Sequence, residues 1–366
     1  METRLKVHFC LSLGPGDDAR QIAQGIALEQ TAELPLDQVP DILLTQVVGR
    51  IEQINDVDEN RAHAVISYSL DTTGGEAAQL LNLLFGNISM KRGFLITQIE
   101  GLDGVFPGPS FGIDGMRKLT EVHQGALVCT ALKPMGRTSD EFATMAFDLA
   151  CGGMDIIKDD HGLANQRYAP FAERVPKVQQ AVIRANDTTN RHALYAPNFM
   201  PPITRFERDY ELCLSQGIKI VMVCPWLVGW DMMAEIARRG DFAVLAHPSL
   251  AGGMFSAPDH GMTAGVVLGQ LFRSLGADAS IYPNVGGRFV FDTHTCHAIN
   301  AALREPYGAY KPSFPVPAGG MTLDRIGEMS REYGDDLIHL IGGGLMRAAT
   351  DLRSAAALFR RAVRGA

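Results

Sequence analysis

GGMDIIKDDH, residues 152–161, is the stretch from which both the fold and the candidate site of this chain can be worked out. Its apolar half is typical of the end of a buried strand, so Lys158, Asp160 and His161 emerge together where that strand stops. Side chains alternate along a strand, and therefore Lys158 and Asp160 point to one side, Asp159 points to the other, and His161 lies in the next loop. This set suits divalent-metal binding or proton transfer. The competing interpretation is a solvated turn, because charged residues are common at strand ends.

Short apolar runs alternate with helix-length amphipathic segments from about residue 126 onward. The predicted strands are 126–132, 154–158, 193–197, 218–223, 243–247, 279–282, 314–318 and 337–341. Ser139 and Thr293 are typical of helix starts between them. Eight βα units in roughly 240 residues favour a closed (β/α)8 TIM barrel over an open doubly wound sheet.

The first part of the chain mixes strand-like and helical runs joined by short turns. These runs are 5–13, 19–30, 49–55, 62–69, 75–85 and 93–99. The pattern predicts a small α+β domain of the ferredoxin-like type. A Gly- and Pro-rich stretch at 106–115 then marks the boundary, which gives an N-terminal domain at 1–115 and the barrel at 116–366.

Composition excludes several classes of protein. The 366 residues are 46% hydrophobic and 20% charged, which is ordinary for a globular enzyme rather than a disordered or membrane protein. A formal net charge of -8 and the lack of a long basic run argue against nucleic-acid binding. The six cysteines have no CxxC spacing and are expected to be reduced, and the charged start of the chain does not read as a signal peptide, so we expect a cytoplasmic protein.

Polar residues follow several of the predicted barrel strands. Lys133 follows the first strand, Tyr195 and Asn198 belong to the end of the third, and His247 and Asn284 to the ends of the fifth and sixth. In a (β/α)8 barrel the carboxyl ends of all strands meet on one face, where the active site lies. We therefore expect these residues to share one rim with Lys158 and Asp160.

Glycines follow the last two strands, at Gly319 and Gly320 and at Gly342, Gly343 and Gly344. Backbone N–H groups approach an anion closely where no Cβ intrudes, and a helix beginning after Gly344 would add a favourable dipole. Phosphate sites of this fold commonly occupy the loops after strands seven and eight. The glycines thus predict a phosphate-ester substrate, although each cluster alone would also suit a tight turn.

The order and spacing of these motifs resemble the large subunit of ribulose bisphosphate carboxylase (RuBisCO) over nearly the whole chain. The matching motifs are GGMDIIKDDH, Lys133 with Pro134, the Ala-His-Pro at 246–248, the Ala-Gly-Gly at 318–320 and the Gly-Gly-Gly at 342–344. The resemblance implies that CO2 converts Lys158 to a carbamate, which would bind Mg²⁺ together with Asp160 and His161. It also implies that Lys133 is an acid/base lysine, and that Glu29 and Asn87 reach the site from the partner subunit of a homodimer.

Departures from the family pattern point to a RuBisCO-like protein of the non-carboxylating form IV. Met135 stands directly after Pro134, so the second family lysine is missing, and the loop at 284–288 reads NVGGR without the lysine that orients CO2. Pro248 and Ala318 replace an arginine and a serine that hold a second phosphate in the family. We therefore expect one phosphate site, bound to a sugar monophosphate, and no CO2 fixation.

His161 stands where the family has a glutamate. A carbamate, Asp160 and a neutral His161 carry about -2, which balances Mg²⁺, and the softer imidazole also suits Mn²⁺ or another divalent metal. The alternative is that His161 does not bind metal and acts in proton transfer. Carbamate formation requires a neutral amine, and a partly dry barrel mouth would lower the pKa of Lys158 from about 10.4.

The retained residues suit a metal-dependent enolising enzyme, with Lys133 or the Lys158 carbamate as base and His247 as a relay or hydroxyl ligand. Because RuBisCO-like proteins include sulfur-salvage enzymes, the resemblance favours isomerisation of a ketose phosphate such as 5-methylthioribulose 1-phosphate, in methionine salvage. Met135, Trp226 and Trp230 are candidates for an apolar patch around a thiomethyl group, or else packing residues. The alternatives are decarboxylation or transcarboxylation of a 3-oxo sugar-acid phosphate, and a non-catalytic ligand-binding homologue.

Overall fold

A computed structural model describes residues 4–289 and 291–365, so residues 1–3 at the start of the predicted N-terminal domain and residue 366 lie outside it. The strands are β1 Arg4–Ser12, β2 Arg50–Asp58, β3 Arg61–Ser69, β4 Phe94–Glu100, β5 Leu127–Leu132, β6 Ile156–Asp159, β7 Leu194–Ala196, β8 Ile220–Val223, β9 Ala243–Ala246, β10 Gly261–Met262, β11 Ala279–Pro283, β12 Phe314–Ala318 and β13 Ile338–Ile341. The helices are α1 Ala19–Glu29, α2 Asp41–Gln46, α3 Ala77–Phe85, α4 Gly112–Thr120, α5 Ser139–Gly152, α6 Phe171–Thr189, α7 Phe206–Ser215, α8 Pro225–Val228, α9 Trp230–Arg239, α10 Phe272–Ser274, α11 Thr293–Arg304, α12 Ile326–Tyr333 and α13 Leu352–Arg364. A π-helix, Gly265–Leu271, leads into α10.

The N-terminal part forms one five-stranded sheet in the order β10-β4-β1-β3-β2. Strand β1 pairs antiparallel with both β3 and β4. Its alternate residues Leu5, Val7, Phe9 and Leu11 are all fully buried, as expected for a sheet with one face on a core. The predicted strands and helices of this part are present, and the sequence reasoning missed the short helix α2.

Eight parallel strands form the barrel, in the order β5-β6-β7-β8-β9-β11-β12-β13. Two four-stranded sheets provide six of the junctions. Backbone hydrogen bonds from Phe199 N to Met222 O (2.8 Å) and from Met222 N to Pro197 O (2.9 Å) join β7 to β8, and β12 lies beside β13. The prediction of an α/β fold with a C-terminal (β/α)8 barrel behind a small α+β part is confirmed.

The barrel interior is packed with side chains, and therefore chemistry is confined to its rim. Leu127, Ile156, Ile220, Leu245 and Ile338 belong to one interior cluster contributed by different strands. Such layers fill the barrel and leave no central channel. The loops after the carboxyl ends of the strands are consequently the place to look for a site.

Several contacts attach the N-terminal part to the barrel, and two of them involve β10 and α3. Strand β10 follows the barrel strand β9 and pairs in parallel with β4, a contribution that the sequence reasoning did not predict. The Asp231 carboxylate of α9 accepts hydrogen bonds from Ala77 N (2.7 Å) and Ala78 N (3.0 Å), where it satisfies free N–H groups in the first turn of α3.

All six cysteines are free. Within the described residues, every helix is too short or too polar to cross a bilayer.

Burial of His339 in β13 makes stability sensitive to acid. Its imidazole is 1% exposed, and burial lowers its pKa to about 4. Because the unfolded chain takes up this proton near pH 6.5, the stabilising effect of the neutral imidazole is complete above that pH and is lost as the pH falls towards 4. We expect His339→Gln to flatten the loss of unfolding free energy between pH 7.5 and 4.5 by about 2–3 kcal/mol in urea titrations. Equal losses in both proteins would contradict this assignment.

Candidate active site

Lys158 is a buried amine at the end of β6. It is 3% exposed, and its Nζ lies 3.0 Å from the carbonyl oxygen of Asp159 and 3.2 Å from the Sδ of Met222 in β8. Burial lowers the pKa of Lys158, because the apolar surroundings disfavour the charged form. This lysine is therefore easier to deprotonate than an exposed one.

Asp160 faces the same side as Lys158 and forms an ion pair with Lys133, the residue that follows β5. The backbone N–H of Gly162 also donates to Asp160 Oδ1 (3.0 Å). Burial tends to raise the pKa of Asp160, but the hydrogen bonds from Lys133 and Gly162 outweigh it and leave the pKa lowered. Two neighbouring strands thus bring two lysines and one ionised carboxylate together.

Two histidines complete this side of the rim. The rings of His161 and His247 stack with centroids 4.4 Å apart, and His161 Nδ1 lies 3.7 Å from Asp160 Oδ1. Burial first, and then the charge of Lys158, lowers the pKa of His247 well below its usual value. Ser249 N donates to His247 Nδ1 (3.2 Å), so the neutral imidazole carries its proton on Nε2 and offers a donor there.

The glycine loops after β12 and β13 lie against each other and next to Lys133. A Cβ added to Gly344 would come 2.5 Å from Met321 O, and one added to Gly342 would come 3.8 Å from Lys133 Cε. In the described part of the chain, the N–H groups of Gly320 and Gly343 have no hydrogen-bond acceptor. Free N–H groups beside a lysine suit an anion. The segment after Gly344 is a three-residue 3₁₀ turn rather than the expected helix, so its dipole adds little.

Asn284 does not join this group. Its side chain is 1% exposed, accepts a hydrogen bond from Tyr333 OH at Oδ1 (3.0 Å), and has its amide nitrogen 3.8 Å from Met321 Sδ. The structure shows the Asn284 side chain packed between β11 and α12, and its part in substrate binding stays a prediction. The sequence could not reveal this orientation, because Tyr333 is distant along the chain.

Glu29 and Asn87 lie together in the N-terminal part. Asn87 Nδ2 donates to Glu29 Oε1 (3.2 Å) and to Glu33, and Lys91 pairs with Glu29 Oε2 (3.0 Å). The hydrogen bond from Lys91 lowers the pKa of Glu29. Glu29, Asn87 and Lys91 thus form one polar patch on the N-terminal part.

The two tryptophans pack against the core. Trp226 and Trp230 form an edge-to-face pair with centroids 4.9 Å apart, and Trp230 is 4% exposed and also contacts Phe272. Met135, by contrast, is 46% exposed, and its Sδ lies so close to Gly162 that an added Cβ there would be 2.5 Å from it. Of the three apolar candidates, Met135 is the most exposed.

Sequence reasoning missed Arg174 and Arg288. Arg174 of α6 is fully buried and binds Asp159, and nothing in an amphipathic helix marks one arginine as buried. Arg288 belongs to the NVGGR loop and lies near enough to His161 to lower its pKa, after the larger effect of burial. Arg288 could have been predicted from the sequence, because it is an isolated positive charge in a glycine-rich loop at the rim.

Lys158, Asp160 and His161 fit a divalent metal only if the amine of Lys158 is modified to a carbamate. Within residues 4–289 and 291–365, no three His, Cys, Asp or Glu side chains are grouped to hold a metal ion. Asp160 and His161 supply one oxygen and one nitrogen donor, and the amine of Lys158 becomes an oxygen donor only as a carbamate. Burial lowers the pKa of Lys158, and a lowered pKa favours that modification. The residues therefore fit a metal that binds together with a modified lysine.

Comparisons with known proteins show which proteins this chain resembles in sequence and fold. The sequence pattern of the ribulose bisphosphate carboxylase large chain, catalytic domain, matches residues 112–364. The chain is 39% identical to ribulose bisphosphate carboxylase-like protein 1 of Rhodopseudomonas palustris, covering 98% of this chain and 97% of that protein. It is 40% identical to the 5-methylthioribulose-1-phosphate isomerase of Rhodospirillum rubrum, covering 94% and 92%. The crystal structure of a Rubisco-like protein from Rhodopseudomonas palustris matches with a TM-score of 0.87 at 36% identity, covering 100% and 99%.

Proposed function

Because this chain belongs to the RuBisCO large-chain family, among its RuBisCO-like proteins, we propose that it isomerises a ketose monophosphate of the 5-methylthioribulose 1-phosphate kind through an enediolate. The observation that carries the proposal is the position of Lys133, which pairs with Asp160 on one side and lies against the Gly342 loop on the other. A substrate phosphate in the glycine loops would place its neighbouring carbons beside this lysine. Isomerisation requires an acid/base group beside those carbons, and Lys133 would be in that position.

In this proposal, Lys133, Lys158 and His247 carry out the proton transfers of the isomerisation. A base removes the C–H proton from the hydroxyl-bearing carbon next to the carbonyl, and the electron pair moves through the new C=C bond to the carbonyl oxygen. A proton is then added to the former carbonyl carbon while the neighbouring hydroxyl gives up its proton, so that the carbonyl group moves by one carbon. We assign the transfer to Lys133 or to the carbamate of Lys158, which share the Asp160 side of the rim. His247 donates from Nε2 to a substrate oxygen.

Lys158 as a carbamate, Asp160 and His161 would hold Mg²⁺, Mn²⁺ or another divalent metal. A bound divalent cation would stabilise negative charge on the substrate oxygens. Carbon dioxide fixation is not part of the proposal, because the loop at 284–288 has no lysine to orient CO2, and Pro248 and Ala318 stand where the family has groups for a second phosphate.

We further propose a homodimer in which Glu29 and Asn87 of one subunit reach the barrel rim of the other. Their mutual hydrogen bond of 3.2 Å keeps them as one patch. Since Lys91 already neutralises Glu29 in one chain, this patch would bring hydrogen-bonding groups rather than an isolated charge.

One experiment decides the type of reaction. The purified protein is supplied with Mg²⁺ and bicarbonate and given either 5-methylthioribulose 1-phosphate or a β-keto sugar-acid phosphate. Phosphorus NMR should show a new ketose phosphate from the first compound, with no CO2 released from the second. Release of CO2 from the keto acid without isomerisation of the ketose would establish the decarboxylase instead.

A Met135 variant tests whether this side chain contacts the uncharged, methylthio end of the substrate. Replacing Met135 by glutamine should raise KM for the methylthio substrate by about tenfold, because the apolar contact with the methylthio group becomes polar. The KM for ribulose 1-phosphate, which ends in a hydroxyl, should change little. Ile203→Gln is the matched control, since Ile203 is an 80% exposed residue that follows another barrel strand. Equal effects of M135Q on both substrates would remove Met135 from the tail site.

A further inference from the structure

A buried polar network lies beneath the loop that carries Asp160 and His161. Its centre is Asp159, which is 0% exposed and faces away from Lys158. Asp159 Oδ1 accepts a hydrogen bond from Tyr195 OH (2.8 Å), and Oδ2 accepts from Arg174 Nε (3.2 Å) and from Asn198 N (3.1 Å). One carboxylate therefore ties together β6, β7, α6 and the loop after β7.

Two members of this network hold the loop after β6 by its carbonyl oxygens. Asn198 Nδ2 donates to His161 O (2.9 Å) and Leu163 O (2.8 Å). Arg174 donates farther along the same loop, to Ala164 O (3.0 Å) and Ala169 O (2.6 Å). These four carbonyl groups fix the path of the chain immediately after Asp160.

Asn198 has the shortest connection to the site. It is fully buried and bonds to the carbonyl of His161 itself, whose ring stacks on His247. The loop also returns a hydrogen bond from Gly162 N to the carboxylate of Asp160. A shift of the loop would consequently displace His161 and remove a donor from Asp160 at the same time.

We propose that Asn198, anchored by Asp159, is a positioning residue for the group formed by Lys158, Asp160 and His161. It sets the loop from within the barrel wall and touches no substrate, because its side chain is closed off from the rim. Any buried amide needs hydrogen-bond partners, so the presence of partners does not by itself give Asn198 a positioning role. Here the two shortest contacts of the amide nitrogen go to carbonyl groups of the loop that continues from the site residues, and a third, to Met200 Sδ, is 3.3 Å long.

Hydrogen exchange tests the structural half of this proposal without substrate or metal. In Asn198→Asp and Asn198→Ser, the amides of Gly162 and Leu163, which bond to Asp160, should exchange at least about tenfold faster than in the unchanged protein. The amides of Ile338–Ile341 should be unaffected. Asn300→Asp is the matched control, because Asn300 is a 2% exposed amide in α11 that bonds to Tyr282 (2.7 Å) away from the site. Exchange that is unchanged, or equally faster throughout the barrel, would overturn the assignment.

Kinetics test the functional half, which rests on the proposed isomerase activity. The two Asn198 variants should lower kcat by about 10–100-fold while KM for the phosphoketose stays within about threefold, since the phosphate loops are separate. Faster loop exchange with an unchanged kcat would overturn the positioning role. If the unchanged protein does not isomerise the substrate, the proposed function fails, and the exchange data still decide whether Asn198 holds the loop.

Discussion

Replacement of Lys158 by methionine is expected to lower kcat/KM for the phosphoketose by about 10³-fold or more. Methionine matches the length of the lysine stem and would lie against Met222 in the same buried position, so the change removes the amine and little else. Removing a buried amine should leave the thermal midpoint unchanged or slightly raised. The loss of activity would then report chemistry and not unfolding.

Two further measurements show whether Lys158 contributes to phosphate binding and whether it carries a carbamate. The dissociation constant of inorganic phosphate should be the same for K158M and the unchanged protein, because the glycine loops are not altered. In ¹³C-bicarbonate, a carbamate carbon signal should appear in the unchanged protein and be missing from K158M. Turnover that persists in K158M would show that the reacting group lies elsewhere on the rim.

Replacement of Gly343 by aspartate is the second change with a large expected effect. No atom lies within 4 Å of a Cβ built at Gly343, so the protein has room for the side chain. Its carboxylate would, however, occupy the space in which we propose that the free N–H groups bind the phosphate. At a few ångströms, repulsion between the two anions should raise KM by at least about 100-fold.

The control for G343D is Gly253→Asp. Gly253 lies on the same rim in the turn Ala251–Met254, and it also has no atom within 4 Å of an added Cβ. Both variants add one negative charge to the barrel mouth, so a general electrostatic effect would affect them alike. Equal values of KM for G343D and G253D would contradict a phosphate site in the last two loops.

The barrel was readable from the sequence because each strand is a short apolar run with a clear end. Strands β5 to β13 start and stop within about two residues of their predicted limits, apart from the unpredicted β10. Strand alternation also assigned Lys158 and Asp160 to one side and Asp159 to the other, and the partners of Asp159 in α6 and β7 agree with that assignment. These inferences depend on local periodicity alone.

Contacts between distant segments were beyond such reasoning. Nothing in the residues around Gly261 predicts that they extend the N-terminal sheet, because the two-residue strand β10 is too short to show a pattern. Asn284 looked like a rim residue but turns towards Tyr333. Arg174 is likewise one of several charged residues in α6, and its burial depends on Asp159. Side-chain direction at strand ends is set by these tertiary partners.

The most direct test of the enolising site is proton exchange at a substrate carbon. The protein, Mg²⁺ and bicarbonate are placed in D2O with 5-methylthioribulose 1-phosphate, and proton NMR follows the signal of the carbon-bound hydrogen next to the carbonyl. Deuterium should enter substrate and product with the unchanged protein and should not enter with K158M. Binding of the phosphoketose without any exchange would contradict the enolising site and would favour a ligand-binding protein.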